Sequence, residues 1–173
     1  VRVGRYCARL ALSKDDLLAA QELRYRCFKL SNDKCLDVDC FDSICRHVLI
    51  ENLDNGKLIC CYRFMYFADG KDITRSYSSQ FYDLASMKNY PKPMIEVGRF
   101  CIDPVMTDQE VILTAWAALT QLVDKNGIEF LFGCSSFEGT DKEKYLHCFA
   151  LLREKYIAPE HCLLYTSPSP RDR

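Results

Sequence analysis

Three residues stand out for the chemistry they could perform, because they are polar or reactive in a run that is otherwise apolar. Glu96, Arg99 and Cys101 lie in MIEVGRFCI, Met94 to Ile102. A carboxylate in such a place can move a proton, and a guanidinium can hold an anion with two hydrogen bonds. A lone buried charge is expensive, so both charges need a partner or a site. They alternate along the strand except for the one-residue shift that a bulge at Gly98 would introduce. An ion pair at a sheet edge and a functional pair remain equally open on spacing alone. Arg63 is the single cation of LICCYRFMYF and calls for carboxylates. The nearest in sequence are Asp37, Asp39 and Asp42, which also read as a solvated acidic loop.

The thiols invite two further chemistries. Cys35, Cys40, Cys45 and His47 are spaced Cys-x4-Cys-x4-Cys-x-His, unlike the closer Cys pairs of zinc sites, so no metal is expected. Cys101 and Cys134 would serve as nucleophiles only with a His partner in space, and they also read as inert thiols. FGCSSFEGTD, Phe132 to Asp141, is a strand-to-helix loop with two glycines and free hydroxyls. It has neither glycine pattern of a nucleotide phosphate loop.

These residues need elements to position them. Tyr6 to Leu12 reads as a strand, and Ser13-Lys-Asp-Asp16 as a capping box with Asp in place of Glu. The helix that follows has apolar residues at helical spacing and carries LRYRCF, Leu23 to Phe28. Ser31 to Ser43 reads as an acidic loop. His47–Leu53 and Lys57–Phe67 are strands joined at Asn55-Gly56, a hairpin signal. Asp69 to Pro93 is irregular, with a short helical turn expected at 81–84. After the Met94–Ile102 strand, Thr107-Asp-Gln-Glu110 reads as a capping box. The helix behind it places Val111, Ile112, Ala115, Trp116 and Leu119 on one face and stops at Gly127. A strand at 128–132 and a helix over about 141–155 follow. Hairpin strands with later α–β alternation predict an α+β or mixed α/β domain.

Composition agrees with a folded domain. The chain has 173 residues, 49% hydrophobic and 27% charged, which excludes a disordered or fibrous protein. The net charge of −1 offers no basic field for nucleic acid. No apolar run approaches a membrane span. Eleven scattered cysteines do not form a secreted disulfide framework, so a reducing cytoplasm is expected. Cys162 to Asp172 reads CLLYTSPSPRD and resembles a translated sequencing-library adapter. The expectation is therefore a domain over 1–161 and a non-native tail over 162–173 that adds nothing to the fold.

Taken in order, LRYRCF, DVDCFDSICRH, CYRF, EVGRFCI and LFGCSSFEGTD resemble the ornithine–acyl-carrier-protein N-acyltransferases, the hemolysin-like branch of the GNAT superfamily. The resemblance spans roughly Cys7 to Pro159. The skeleton of Arg24, Phe28, Asp39, Asp42, Arg63, Glu96, Arg99 and Phe100 is also similar to the acyl-homoserine-lactone synthases. Cys45-Arg-His47 and the 132–141 string favour the ornithine branch. The resemblance implies the GNAT fold, a mixed sheet splayed open around the acyl donor and flanked by helices. The final hairpin of that sheet would lie beyond this C-terminus, so a truncated and inactive chain is expected, with an open edge at 128–132.

The implied donor is a (3-hydroxy)acyl thioester on the phosphopantetheine arm of acyl carrier protein. Cys101 to Thr107 has no glycine where acetyl-CoA-dependent relatives have a glycine loop. The implied acceptor is the α-amine of L-ornithine, and the implied reaction is the first step of ornithine lipid synthesis, with no cofactor or metal. In that reaction Glu96 is the expected base, since burial can raise a carboxyl toward neutrality. Arg99 and Arg63 would organise the acidic cluster or hold the ornithine carboxylate. Asp39 or Asp42 would suit the cationic amines. Arg24, Phe28, Phe100 and Ser135 complete the expected substrate-binding set, and backbone N–H groups freed at Gly98 would hold the oxyanion. Peripheral contact with the inner membrane face through the lipid product fits this reading. The rival readings are a lactone synthase using S-adenosylmethionine and a non-catalytic acyl-carrier binding protein.

Overall fold

The computed structural model describes residues 1–29, 35–135, 137, 139, 141–158 and 165–166. Residues 31–34 of the expected acidic loop, Ser136, Glu138 and Thr140 of the 132–141 string, and most of 162–173 lie outside the described residues. Strands β1 (Arg2–Val3), β2 (Tyr6–Leu10), β3 (Arg46–Asn52), β4 (Leu58–Phe67), β6 (Met94–Ile102) and β7 (Phe130–Phe132) form one sheet in the order β1-β2-β3-β4-β6-β7. The first five run antiparallel to their neighbours, and β7 lies parallel to β6. Helix α1 (Lys14–Lys29) leads from β2 toward β3, and α2 (Gln109–Asn126) is the crossover from β6 to β7. A parallel neighbour requires such a crossover. No described helix is long and apolar enough to cross a membrane.

Alternation along the strands sorts the two faces. Leu49, Cys61 and Cys101 pack with Ala20 and Leu23 of α1. Val48, Ile50, Cys60, Tyr62 and Phe64 pack with Val111, Ala115 and Leu119 of α2. Beyond the end of α1, the same face of β4 continues through Arg63, Met65 and Phe67. There the segment 69–93 covers it, burying Ile73, Leu84 and Met87 against Met65, Phe67 and Phe132.

The box at Ser13 forms as expected. Ser13 Oγ accepts from the Asp16 N–H at 3.0 Å, and Asp16 Oδ2 accepts from the Ser13 N–H at 3.2 Å. The α2 start differs: Asp108 is the cap, accepting from the Glu110 N–H at 3.0 Å, rather than Thr107. The β3–β4 hairpin also differs from a two-residue turn. Residues 53–57 lie between the strands, only Gly56 among them takes positive φ (+68°), and Asn55 instead accepts from the Lys57 N–H through its side chain. The expected turn of helix at 81–84 is replaced by an extended pair, β5 (Tyr82–Asp83), between 3₁₀ turns. Helix α3 starts at Leu146 (Leu146–Lys155), after a 3₁₀ turn at Lys142–Tyr145. The tail does pair: β8 (Tyr165–Thr166) lies antiparallel to β5. A short exposed edge offers unpaired backbone groups to any extended segment nearby, which overrides the absence of strand periodicity in the tail.

Gly133, just past β7, must be glycine. A Cβ there would fall 2.1 Å from the Val97 carbonyl oxygen. The chain leaving β7 thus runs against the middle of β6, where the bulge begins.

Candidate active site

The bulge sets the phase of the site. Arg63 pairs with Gly98 and Cys61 with Cys101, so Arg99 and Phe100 together oppose Tyr62. The positive φ falls on Arg99 (+54°), not on the glycine. A side chain in that region stores strain of roughly 1–3 kcal/mol, which the surrounding contacts must offset. In an unbroken strand Glu96 and Arg99 would face opposite sides. The extra residue turns Arg99 and Cys101 onto the face of Glu96 and Arg63, and moves Phe100 to the α2 side.

On that face lies a buried ion network. Asp39 caps the 3₁₀ turn at Cys40–Ser43 and Asp42 sits within it. Asp42 accepts from Arg24 at 2.7 and 2.8 Å, from Arg63 Nη1 at 2.7 Å and from Gln21 Nε2 at 2.8 Å. Arg63 also forks onto both oxygens of Asp39, at 2.6 and 2.7 Å. Arg24, 1% exposed, reaches the Asp37 carboxylate at 2.9 Å and its carbonyl. His47 Nε2 is 3.1 Å from the Asp42 carbonyl. Burial pushes the Asp42 carboxyl up, but the bonds from Arg24 and Gln21 outweigh it and hold the group below the usual carboxylate range. Asp39 is also lowered, the Arg63 bond overcoming desolvation. Burial lowers the His47 imidazole, and the nearby guanidiniums of Arg24 and Arg63 add to that.

Arg99 is held more loosely. Its Nη2 is 3.3 Å from Asp39, and its Nε is 3.3 Å from Asp37 but angled so that no hydrogen bond forms. The guanidinium lies over the rings of Phe28 (5.6 Å) and Tyr77 (5.7 Å), and Arg63 also lies over Tyr77 (5.9 Å).

Glu96, 5% exposed, has a separate set of partners. Tyr77 N–H donates to Oε2 at 2.7 Å, and Ser78 donates to Oε1 through its N–H and its Oγ, both at 2.6 Å. Among the described residues no cation lies within ion-pair distance of it.

Glu96, Arg99 and Arg63 form the polar floor of a pocket of about 770 Å³. Phe28, Phe100, Ile112, Trp116, Leu119, Leu131 and Phe132 wall it, and Gly133, Cys134 and Ser135 form its rim. Of the residues picked from sequence, Phe28, Arg63, Glu96, Arg99, Phe100 and Ser135 therefore meet here. Arg24, Asp39 and Asp42, expected to touch substrate, stand behind the pocket and make bonds among themselves and with Gln21, Asp37, Arg63 and Arg99. Beyond Glu96, β6 has no ladder partner on its β7 side among the described residues. That open edge borders the pocket through Val97 to Phe100.

Sequence reasoning missed Tyr77, Ser78, Gln21 and the pocket role of Trp116. Tyr77 and Ser78 lie in a stretch without periodicity, so nothing marked them. Trp116 fitted the apolar face of α2 but is 54% exposed, lying 6.4 Å from Phe100. A single tryptophan beside a cleft aromatic was the available signal. Some of the thiols behave as apolar groups: Cys61 and Cys101 lie 3.6 Å apart as free thiols in the core, and burial pushes Cys45 up to about 11. Cys35 and Cys40 are exposed.

A sheet splayed beyond β6, a bulge at the cleft and flanking helices define a GNAT-type domain. Residues 21–117 match the Acetyltransferase (GNAT) domain family, and the chain belongs to that family. It is 30% identical over 171 residues to the L-ornithine N(alpha)-acyltransferase of Rhodobacter capsulatus, covering 90% of this chain and 65% of that protein. It is 28% identical over 155 residues to the L-ornithine N(alpha)-acyltransferase of Brucella abortus, covering 80% of this chain and 55% of that protein. The chain thus spans 55–65% of the length of these curated relatives. Among solved structures it resembles FeeM, an N-acyl amino acid synthase from uncultured soil microbes. The TM-score there is 0.55 at 18% identity, over 86% of this chain and 77% of that one. The AHL synthase LasI is similar at TM-score 0.53 and 20% identity, over 74% and 71%. At these identities the likeness is one of fold.

Proposed function

We propose that this domain is the catalytic part of an N-acyltransferase that moves a (3-hydroxy)acyl group from acyl carrier protein to the α-amine of L-ornithine. The observation that carries the reading is the bulge in β6, which puts Glu96 and Arg99 side by side on the floor of a pocket with apolar walls. The names of the curated relatives supply the acceptor. The open edge of β6 offers backbone groups to an extended phosphopantetheine arm, and the aromatic and aliphatic walls suit an acyl chain.

Glu96 takes a proton from the attacking amine, directly or through water. Free α-amines are largely protonated near neutrality, so a base is required. Arg63 has its terminal nitrogens committed to Asp39 and Asp42. Arg99, with longer contacts and an unbonded Nε, is the guanidinium left to hold the acceptor carboxylate. Arg24, Asp39 and Asp42 position these two arginines. Backbone N–H groups at the bulge stabilise the oxyanion, and co-binding of amine and thioester contributes the remainder without a cofactor.

The test is to incubate the protein from its full open reading frame with 3-hydroxyacyl carrier protein and ornithine, and to analyse the products by mass spectrometry. N-acyl-ornithine with loss of thioester is expected. A lactone formed from S-adenosylmethionine, or carrier-protein binding with the thioester intact, would replace this reading with one of its rivals.

A further inference from the structure

Ser78 joins two groups that the reaction above leaves unconnected. Its hydroxyl donates to Glu96 Oε1 at 2.6 Å and lies 3.3 Å from Cys134 Sγ. Ser78 is 2% exposed, and its N–H is tied to the same carboxylate oxygen, so the hydroxyl is held in one place. Cys134 is exposed at the pocket rim. It follows Gly133, whose close approach to the Val97 carbonyl brings the rim against the bulged strand. A hydroxyl has one proton and two lone pairs, so it can donate to Glu96 while accepting from the Cys134 thiol. A continuous line of carboxylate, hydroxyl and thiol therefore runs from the buried floor of the pocket to its open side.

Acyl transfer from a thioester creates a use for that line. The leaving group departs as a thiolate and must gain a proton, while the amine must lose one. We propose that Cys134 is the general acid that protonates the departing thiolate, and that Ser78 returns the proton taken up by Glu96 to Cys134. The inference rests on the N-acyltransferase reading. The acceptor reacts as the free amine, its ammonium proton having gone to water, and as the C–N bond forms the nitrogen becomes cationic and gives one proton to Glu96. The C–S bond then breaks, its electron pair stays on sulfur, and Cys134 gives its S–H proton to that sulfur. Ser78 gives its proton to the Cys134 thiolate and takes the one held by Glu96. All three side chains end as they began, and the net change is one proton moved from nitrogen to the leaving thiol.

A role in leaving-group protonation can be separated from a structural one by changing the leaving group. Cys134→Ala is compared with wild type, both expressed from the full open reading frame, on an alkyl thioester and on a thiophenyl ester of the same acyl chain. Thiophenolate leaves without needing a proton. On the alkyl thioester the variant should lose roughly 10²-fold in kcat with KM little changed. On the thiophenyl ester the loss should shrink to less than about threefold, and the thermal midpoint should match wild type. An alkyl-thioester rate within about threefold of wild type would overturn the relay alone, as would equal losses on both esters. A wild type that acylates no ornithine would overturn the reading beneath it and the relay together.

Discussion

Glu96 is surrounded by neutral donors, and that makes its conservative replacement informative. Glu96→Gln keeps the shape but sets an amide NH₂ against donors on one side, either the Tyr77 N–H or the two Ser78 donors. A mismatched buried donor costs about 1–3 kcal/mol, so the domain should fold with a lowered unfolding midpoint. If Glu96 is the base, turnover should fall by roughly 10²–10⁴-fold. Near wild-type turnover by the purified variant would remove Glu96 from the mechanism. Arg63 and Arg24 act differently. Arg63→Ala takes from Asp39 its two short bonds, leaving the longer Arg99 contact and the Phe41 N–H, while Asp42 keeps Arg24 and Gln21. Losing one partner of such a pair costs about 3–5 kcal/mol. The loss should appear first as unfolding in urea, and an unchanged midpoint would mean the network does not hold the domain together.

At the scale of elements, the site depends on how β6 and β7 part. Gly98 and Gly133 both border the pocket, yet they should respond oppositely to a methyl group. A Cβ on Gly98 meets nothing within 4 Å, and its φ is not in the left-handed region, so Gly98→Ala should change stability by no more than about 0.5 kcal/mol. The Cβ of Gly133→Ala would collide with the Val97 carbonyl, a backbone atom that can move only with β6. That variant should lose stability and activity together, and comparable midpoints for the two variants would contradict the close approach. The bulge itself was legible in MIEVGRFCI, because a Glu and an Arg three apart in an apolar strand share a face only with an extra residue. Its strained position was not legible, since glycine is the usual occupant of positive φ and here Arg99 takes it. The helices and main strands followed from period and caps. The 69–93 segment did not, since its 3₁₀ turns are held by backbone bonds and by burial of Ile73, Leu84 and Met87, which leave no repeat in the sequence.

For the whole molecule, the buried charges connect folding to pH. The Asp42 carboxyl titrates below its ordinary value, despite burial, because Arg24 and Gln21 bond its charged form. Its contribution is therefore present above the unfolded value of about 3.9 and is lost as pH falls below it. The His47 imidazole is also lowered, because burial outweighs the bond and charge of Asp42, with the arginines adding to it, so the folded state favours the neutral ring. An unfolded histidine takes its proton near 6.5, and the folded state loses relative stability as pH falls below that point. Both shifts have the same sign: acid destabilises, in two windows. The urea midpoint should fall between about pH 7 and 5 through His47, and again, continuously, below about pH 4.5 through Asp42 and Asp39. His47→Gln keeps a donor for the Asp42 carbonyl and removes the titration, so it should flatten the first window and leave the second. Asp42→Asn should make the second shallower, Asp39 still titrating in it, while lowering the midpoint throughout, because Arg24 and Arg63 lose a charged partner. A His47→Gln profile as steep as wild type between pH 7 and 5 would show that the imidazole does not titrate with folding.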